Sequence, residues 1–130
     1  MKTVFVDTNY FLRFLLKDNK QFQKVYDLFN KSVNAELKLV TSTIVFFEIY
    51  WVLSSIYKQN KTQLINYLRK ILSLNFILIE NKEILYEALS HFKKYTIDLE
   101  DCFNIAFYQR YKINQFSSFD QKVNRILKKI

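Results

Sequence analysis

The sequence predicts an α/β protein in which a parallel sheet is covered on both faces by helices. Short strand-like runs alternate with helical patterns from end to end. Those runs are apolar rather than alternating, as in strands buried on both faces. The size agrees: 130 residues, 50% hydrophobic and 18% aromatic, are one domain's worth and enough for a full core. No linker, repeat or low-complexity segment breaks the chain, so residues 1–130 are expected as a single domain.

The elements follow in order. Lys2–Val6 (KTVFV) is β-branched and aromatic and reads as the first strand. Asp7-Thr8-Asn9 leads into a helical pattern over Tyr10–Leu16. Lys20–Lys31 carries Phe22, Val25, Tyr26, Leu28 and Phe29 at helical spacing. Lys38–Thr41 is a second strand, and Ser42 or Thr43 caps a helix running to about Gln59. Lys61–Leu72 is a helix with Leu64, Ile65, Leu68, Ile71 and Leu72 on one stripe. Asn75–Glu80 is a third strand. Lys82–Tyr95 and Leu99–Tyr111 are helices, the second opened by Asp98. Gln115–Ser118 (QFSS) is a short fourth strand, after which Asp120 opens a basic helix to Lys129. Asn60 and Asn114 are expected to replace helix-ending glycines in the left-handed conformation. The aromatics at helical spacing (Phe22, Tyr26, Phe29, Tyr50, Trp51, Tyr57) are expected mostly in the core, with any excess forming a groove for a partner.

Composition excludes several activities. The chain has no glycine and no proline. A glycine-rich phosphate loop, a dinucleotide fingerprint and a G-x-S-x-G nucleophile elbow are all ruled out, so a site must be built from side chains. One cysteine, Cys102, excludes an internal disulfide and a thiolate metal site, and reads as a small buried hydrophobe. One histidine, His91, excludes a multi-histidine centre and reads as a boundary residue on its helix. Asp7 and Arg13 interrupt the apolar N-terminus where a signal peptide needs an unbroken run. The uncharged run Ile49–Tyr57 is far short of the roughly 20 residues that span a bilayer. The expectation is a cytoplasmic protein with no membrane partner. Its formal charge of +8 favours a polyanionic partner, the plain alternative being a solubilising surface.

Asp18, Asp27, Glu36, Glu83 and Glu87 sit where solvated surface acids do. Four other acids do not. Asp7 ends the first strand, where parallel sheets bind ligands, and it is equally a helix cap. Glu48 has Ile44, Val45, Trp51 and Val52 as helical neighbours, which puts it on or beside the inward stripe. A buried carboxylate there needs a partner or a metal, whereas one at the stripe's edge does not. Asp101 lies in the first turn of its helix, three residues after Asp98, and Asp120 follows QFSS; locally, both read as capping residues. In a parallel sheet, strand ends and helix starts share one edge. Four carboxylates gathered there repel unless a cation sits among them. All-oxygen ligands suit Mg²⁺ or Mn²⁺, and a carboxylate-held metal beside a basic surface is common equipment for phosphodiester hydrolysis.

The segments VFVDTNYFLRFLL, TSTIVFFEIYWVLSSIY, IDLEDCFNIAFYQRY and FSSFDQKV resemble, in order and spacing, the PIN-domain ribonucleases, specifically the VapC-type toxins of toxin–antitoxin pairs. The resemblance implies a three-layer α/β/α domain around a central parallel sheet of four or five strands. It implies a Mg²⁺- or Mn²⁺-dependent endoribonuclease leaving 5′-phosphate and 3′-hydroxyl ends, a cognate antitoxin and a homodimer. By position, Asp7, Glu48, Asp101 and Asp120 match the family's catalytic and metal-binding acids. Asn9 matches the asparagine of the first motif, and Ser118 stands where many relatives have threonine. Arg13 matches a basic residue of the first helix. Lys122 and Arg125 make the last helix basic enough for RNA phosphate contacts. Asp98 is an extra acid that either caps its helix or supplements the metal shell.

Two other readings compete. A catalytically inactive binder of RNA or protein would use the same basic helix, but acids beside phosphate bring it nothing. A receiver-like signalling domain also has acids at strand ends. It needs an early acid pair and a lysine after a late strand, and neither is in place.

Overall fold

In the computed structural model, residues 1–17 and 21–130 are described, and the chain divides into two units, Met1–Asn81 and Lys82–Ile130. Asp18 and Lys20, the first residue of the helix expected over Lys20–Lys31, lie outside the described residues.

The first unit holds three strands and four helices: β1 (Thr3–Phe5), α1 (Thr8–Leu16), α2 (Phe22–Val33), β2 (Lys38–Thr41), α3 (Thr43–Ser55), α4 (Lys61–Leu72) and β3 (Ile77–Ile79). The strands pair in parallel in the order β1-β2-β3. Register places Val4 beside Leu39 and Leu39 beside Ile77; Phe5, Val40 and Leu78 form the next row. Because side chains alternate across a strand, these rows face opposite ways. Leu39 and Ile77 are buried, whereas Phe5 is 56% and Leu78 72% exposed. The expected sheet buried on both faces is therefore realised on one face of this unit.

The helices form for local reasons visible in their ends. Ser42 accepts from Val45 N–H to start α3. Asn60 and Gln63 exchange side-chain-to-backbone bonds in a capping box that starts α4. The buried stripes are Phe11, Leu12 and Leu15 on α1, Val45, Phe46, Ile49 and Leu53 on α3, and Leu64, Leu68, Ile71 and Leu72 on α4. Phe29 of α2 lies buried with its ring 5.2 Å from that of Phe14 and 5.4 Å from that of Phe76. Tyr26, Trp51 and Tyr57 are exposed, contrary to the expectation that these aromatics are mostly core. They lie off the stripes that the aliphatic residues occupy.

The second unit is helical: α5 (Lys82–Lys94), α6 (Leu99–Arg110) and α7 (Gln121–Leu127). α5 and α6 pack closely. Arg110 bonds Glu87 at 2.8 Å, and His91 Nε2 meets Gln109 Oε1 at 2.8 Å. Ile105, Val123 and Ile126 form a buried cluster under Tyr95, Ile97, Phe116 and Leu127, and Cys102 is buried as expected.

Two expectations are corrected. Gln115–Ser118 is not a strand, so the described residues contain a sheet of three strands rather than four or five. Its polar Gln and Ser residues bond locally instead. Ser118 Oγ accepts from Asp120 N–H at 3.0 Å, and Asn124 Nδ2 donates to the Ser118 carbonyl at 2.8 Å. Second, among the described residues the left-handed positions are Lys17, Ala35, Lys58, Asn81 and Lys112, not Asn60 or Asn114. Asn60 is extended because its side chain starts α4 rather than ending α3. Ala35 and Lys112 follow their helices in the Schellman arrangement, with Glu36 N–H on the Lys31 carbonyl and Ile113 N–H on the Tyr108 carbonyl. Without glycine, each such position costs about 1–2 kcal/mol. Among the described residues, no helix is long and apolar enough to cross a membrane.

Candidate functional site

In the first unit, the carboxyl ends of the three strands carry polar residues. Val6 N–H still bonds the Val40 carbonyl at 2.9 Å, so Asp7 is the first residue beyond the ladder. It occupies the N-cap of α1, and its Oδ1 accepts from Thr8 N–H at 2.7 Å. The Thr8 hydroxyl, itself buried, donates to Glu48 Oε2 at 2.9 Å. One residue thus holds two carboxylates from distant parts of the sequence, one by its backbone and one by its side chain. Thr41, at the end of β2, donates to the Val6 carbonyl at 2.8 Å and pins the end of β1.

Glu48 is exposed, so of the two expected placements, on the inward stripe or beside it, the first is not realised. α3 is apolar on nearly every side: Val45, Phe46, Ile49 and Leu53 are buried, while Ile44 is 71% and Trp51 58% exposed. Glu48 shares its face with Ile44 and Trp51, one turn to either side. Asn9, exposed, and Arg13, half-buried, stand one turn apart on α1.

Sequence reasoning passed over Glu80, the first residue after β3. Its Oε1 accepts from Thr43 N–H at 2.9 Å, and Asn81 Nδ2 donates to the Thr43 hydroxyl at 3.0 Å. The Thr43 backbone bond, then the Thr43 side chain, holds the Glu80 carboxyl below its ordinary value. The positional rule that singles out Asp7 also finds Glu80. Thr8 is the other omission, and its place between Asp7 and Asn9 is the only signal for it.

The second unit carries Asp98, Asp101 and Asp120. Asp98 has the extended backbone of an N-cap for α6, but its side chain makes no capping bond. Asp120 does cap α7: Oδ1 accepts from Lys122 N–H at 2.9 Å and from Val123 N–H at 3.1 Å. The locally expected capping role is therefore filled by Asp120 and not by the Asp98 side chain. Asp101 is half-buried, and its pKa is raised by burial first, then by the Asp120 and Asp98 charges. Ser118 supports the turn into Asp120 through its hydroxyl. Lys122 and Arg125 are exposed on one face of α7.

The structure thus groups the sequence-derived residues into two sets, one in each unit. Among the described residues, no three His, Cys, Asp or Glu side chains form a ready-made chelating group. The fit to a cation rests on donor chemistry. Every candidate ligand is a carboxylate oxygen, burial and then the Asp120 and Asp98 charges raise the Asp101 pKa, and the Arg110–Glu87 ion pair involves none of them. Such a set suits a hard divalent ion such as Mg²⁺ or Mn²⁺.

The family described as PIN domain matches this chain over residues 4–129. No curated protein matches the sequence.

Proposed function

Because the chain belongs to the PIN-domain family, whose members are generally metal-dependent nucleases, we propose that it is a Mg²⁺- or Mn²⁺-dependent endoribonuclease. The observation that carries this reading is Thr8 presenting Asp7 and Glu48 together beyond the carboxyl end of β1. Asp7 and Asp101 are the principal ligands in this proposal, and Glu48 and Asp120 complete the shell. When bound, the divalent ion supplies a water of lowered pKa and offsets charge on the scissile phosphate.

The protein's own groups do the remaining work. Thr8 fixes two carboxylates in place, and Asp120 is fixed by the first-turn amides of α7. Asn9 and Ser118 support the acids of their own segments, and Asp98 adds charge beside Asp101. Arg13, Lys122 and Arg125 contact RNA phosphates, in keeping with the net charge of +8.

The four motif segments support a narrower proposal: a cytoplasmic toxin of a toxin–antitoxin pair, homodimeric and held in check by its antitoxin. The test of the activity is RNA cleavage by purified protein with Mn²⁺, alongside Asp7→Ala. Cleavage by the wild type alone supports the reading. No cleavage, or equal cleavage by the variant, ends it.

A further inference from the structure

A cavity of about 450 Å³ lies within the second unit and takes no part in the proposed chemistry. Its size is within the range of small-molecule sites. Its lining combines three kinds of group. Tyr108 and Phe116 supply aromatic rings, 5.4 Å apart and nearly perpendicular. Asn114, Gln115 and Asn124 supply side-chain amides, and Lys128 supplies a cation. Aromatic faces, amides and a lysine match the three parts of a nucleotide: base face, base edge and phosphate.

The cavity is tied to Asp120. α7 begins at the Asp120 cap and supplies Asn124 and Lys128 to the lining. Asn124 is one turn, about 6 Å, along the helix from Asp120. Its Nδ2 already holds the Ser118 carbonyl, which leaves Oδ1 as an acceptor. Gln115 Nε2 reaches Ser117 Oγ at 3.3 Å, which leaves Oε1 as a second acceptor. Phe119, between Ser118 and Asp120, is fully exposed and offers a further stacking face.

We propose that this cavity is a nucleobase subsite that receives an unpaired RNA base next to the nucleotide held at Asp120. The inference rests on the ribonuclease reading and adds a base preference to it. The two amide acceptors select a base with an exocyclic amino group, such as adenine or cytosine, over uracil, which has none.

The test is binding of AMP, CMP and UMP to the intact protein, followed by NMR titration in the presence of a chelator. Gln115→Ala, which removes one of the two acceptors, is compared; the residue is exposed, so the variant keeps the fold. Expected is binding of AMP or CMP about tenfold tighter than UMP, and loss of that preference in the variant. Equal binding of all three, no binding, or a preference that survives in the variant overturns the proposal. This readout needs neither metal nor turnover. Cleavage of RNA without nucleotide selectivity removes the subsite and leaves the ribonuclease, whereas selective binding without cleavage does the reverse.

Discussion

The two units treat their acids differently. In the first, each special carboxylate has a hydrogen-bond donor: Thr8 N–H for Asp7, the Thr8 hydroxyl for Glu48, and Thr43 N–H for Glu80. In the second, Asp120 caps α7, but Asp98 has no capping bond, and Asp101 feels burial and two like charges. Glu80 is accordingly shifted down and Asp101 up. The first arrangement fixes positions. The second gathers like charge, which a cation of the kind proposed would relieve.

The largest expected effect distinguishes structure from chemistry at Asp120. Asp120→Asn keeps a capping side chain, so thermal stability is retained while cleavage falls at least about a hundredfold. Asp120→Ala loses the cap as well and about 1 kcal/mol of stability, read by denaturant unfolding. Cleavage by Asp120→Asn at the wild-type rate would reduce Asp120 to a cap.

Thr8→Val tests the first unit's contribution. The buried hydroxyl goes and the shape remains, so Glu48 loses its tether. Positioning groups of this kind are worth about 10–100-fold in activity. The expected loss is of that size, with at most about 1 kcal/mol of stability. A stability loss with full activity would make Thr8 a packing residue only.

The smallest effects carry the sharpest contrast in sign. Asp101→Asn removes a charge the fold disfavours, so metal-free stability at neutral pH should rise by about 0.5 kcal/mol after solvent screening, although activity is lost. Because its folded pKa is raised, the Asp101 contribution to stability is greatest below the unfolded pKa and is lost as pH rises through the folded one. Glu80 behaves oppositely: its contribution is present above the unfolded pKa and fades as pH falls through the folded value. Glu80→Gln should therefore slightly lower stability at neutral pH and flatten the acid limb. The same sign for both substitutions in metal-free melts would erase the contrast between the units.

Much of this was legible in the residues. α4 matched its expected span, Lys61–Leu72, because a clean stripe and an Asn60–Gln63 capping box agree. Asp7 and Asp120 were placed correctly at helix starts. The exposure of Glu48 is not legible, because α3 is apolar nearly all round and the sequence does not say which side faces the core. The Thr8–Glu48 bond joins distant positions and leaves no local pattern. The turn geometry is not legible because lysine and alanine occupy left-handed positions that glycine or asparagine usually take. QFSS looked like a strand only by its place in the alternation.

The most direct measurement is Mn²⁺ titration of the metal-free protein, with free ion followed by electron paramagnetic resonance, for wild type, Asp7→Ala and Asp101→Asn. The account predicts saturable binding by the wild type and marked weakening in both variants, one from each unit. Binding that is absent in the wild type, or that survives both substitutions unchanged, would contradict it.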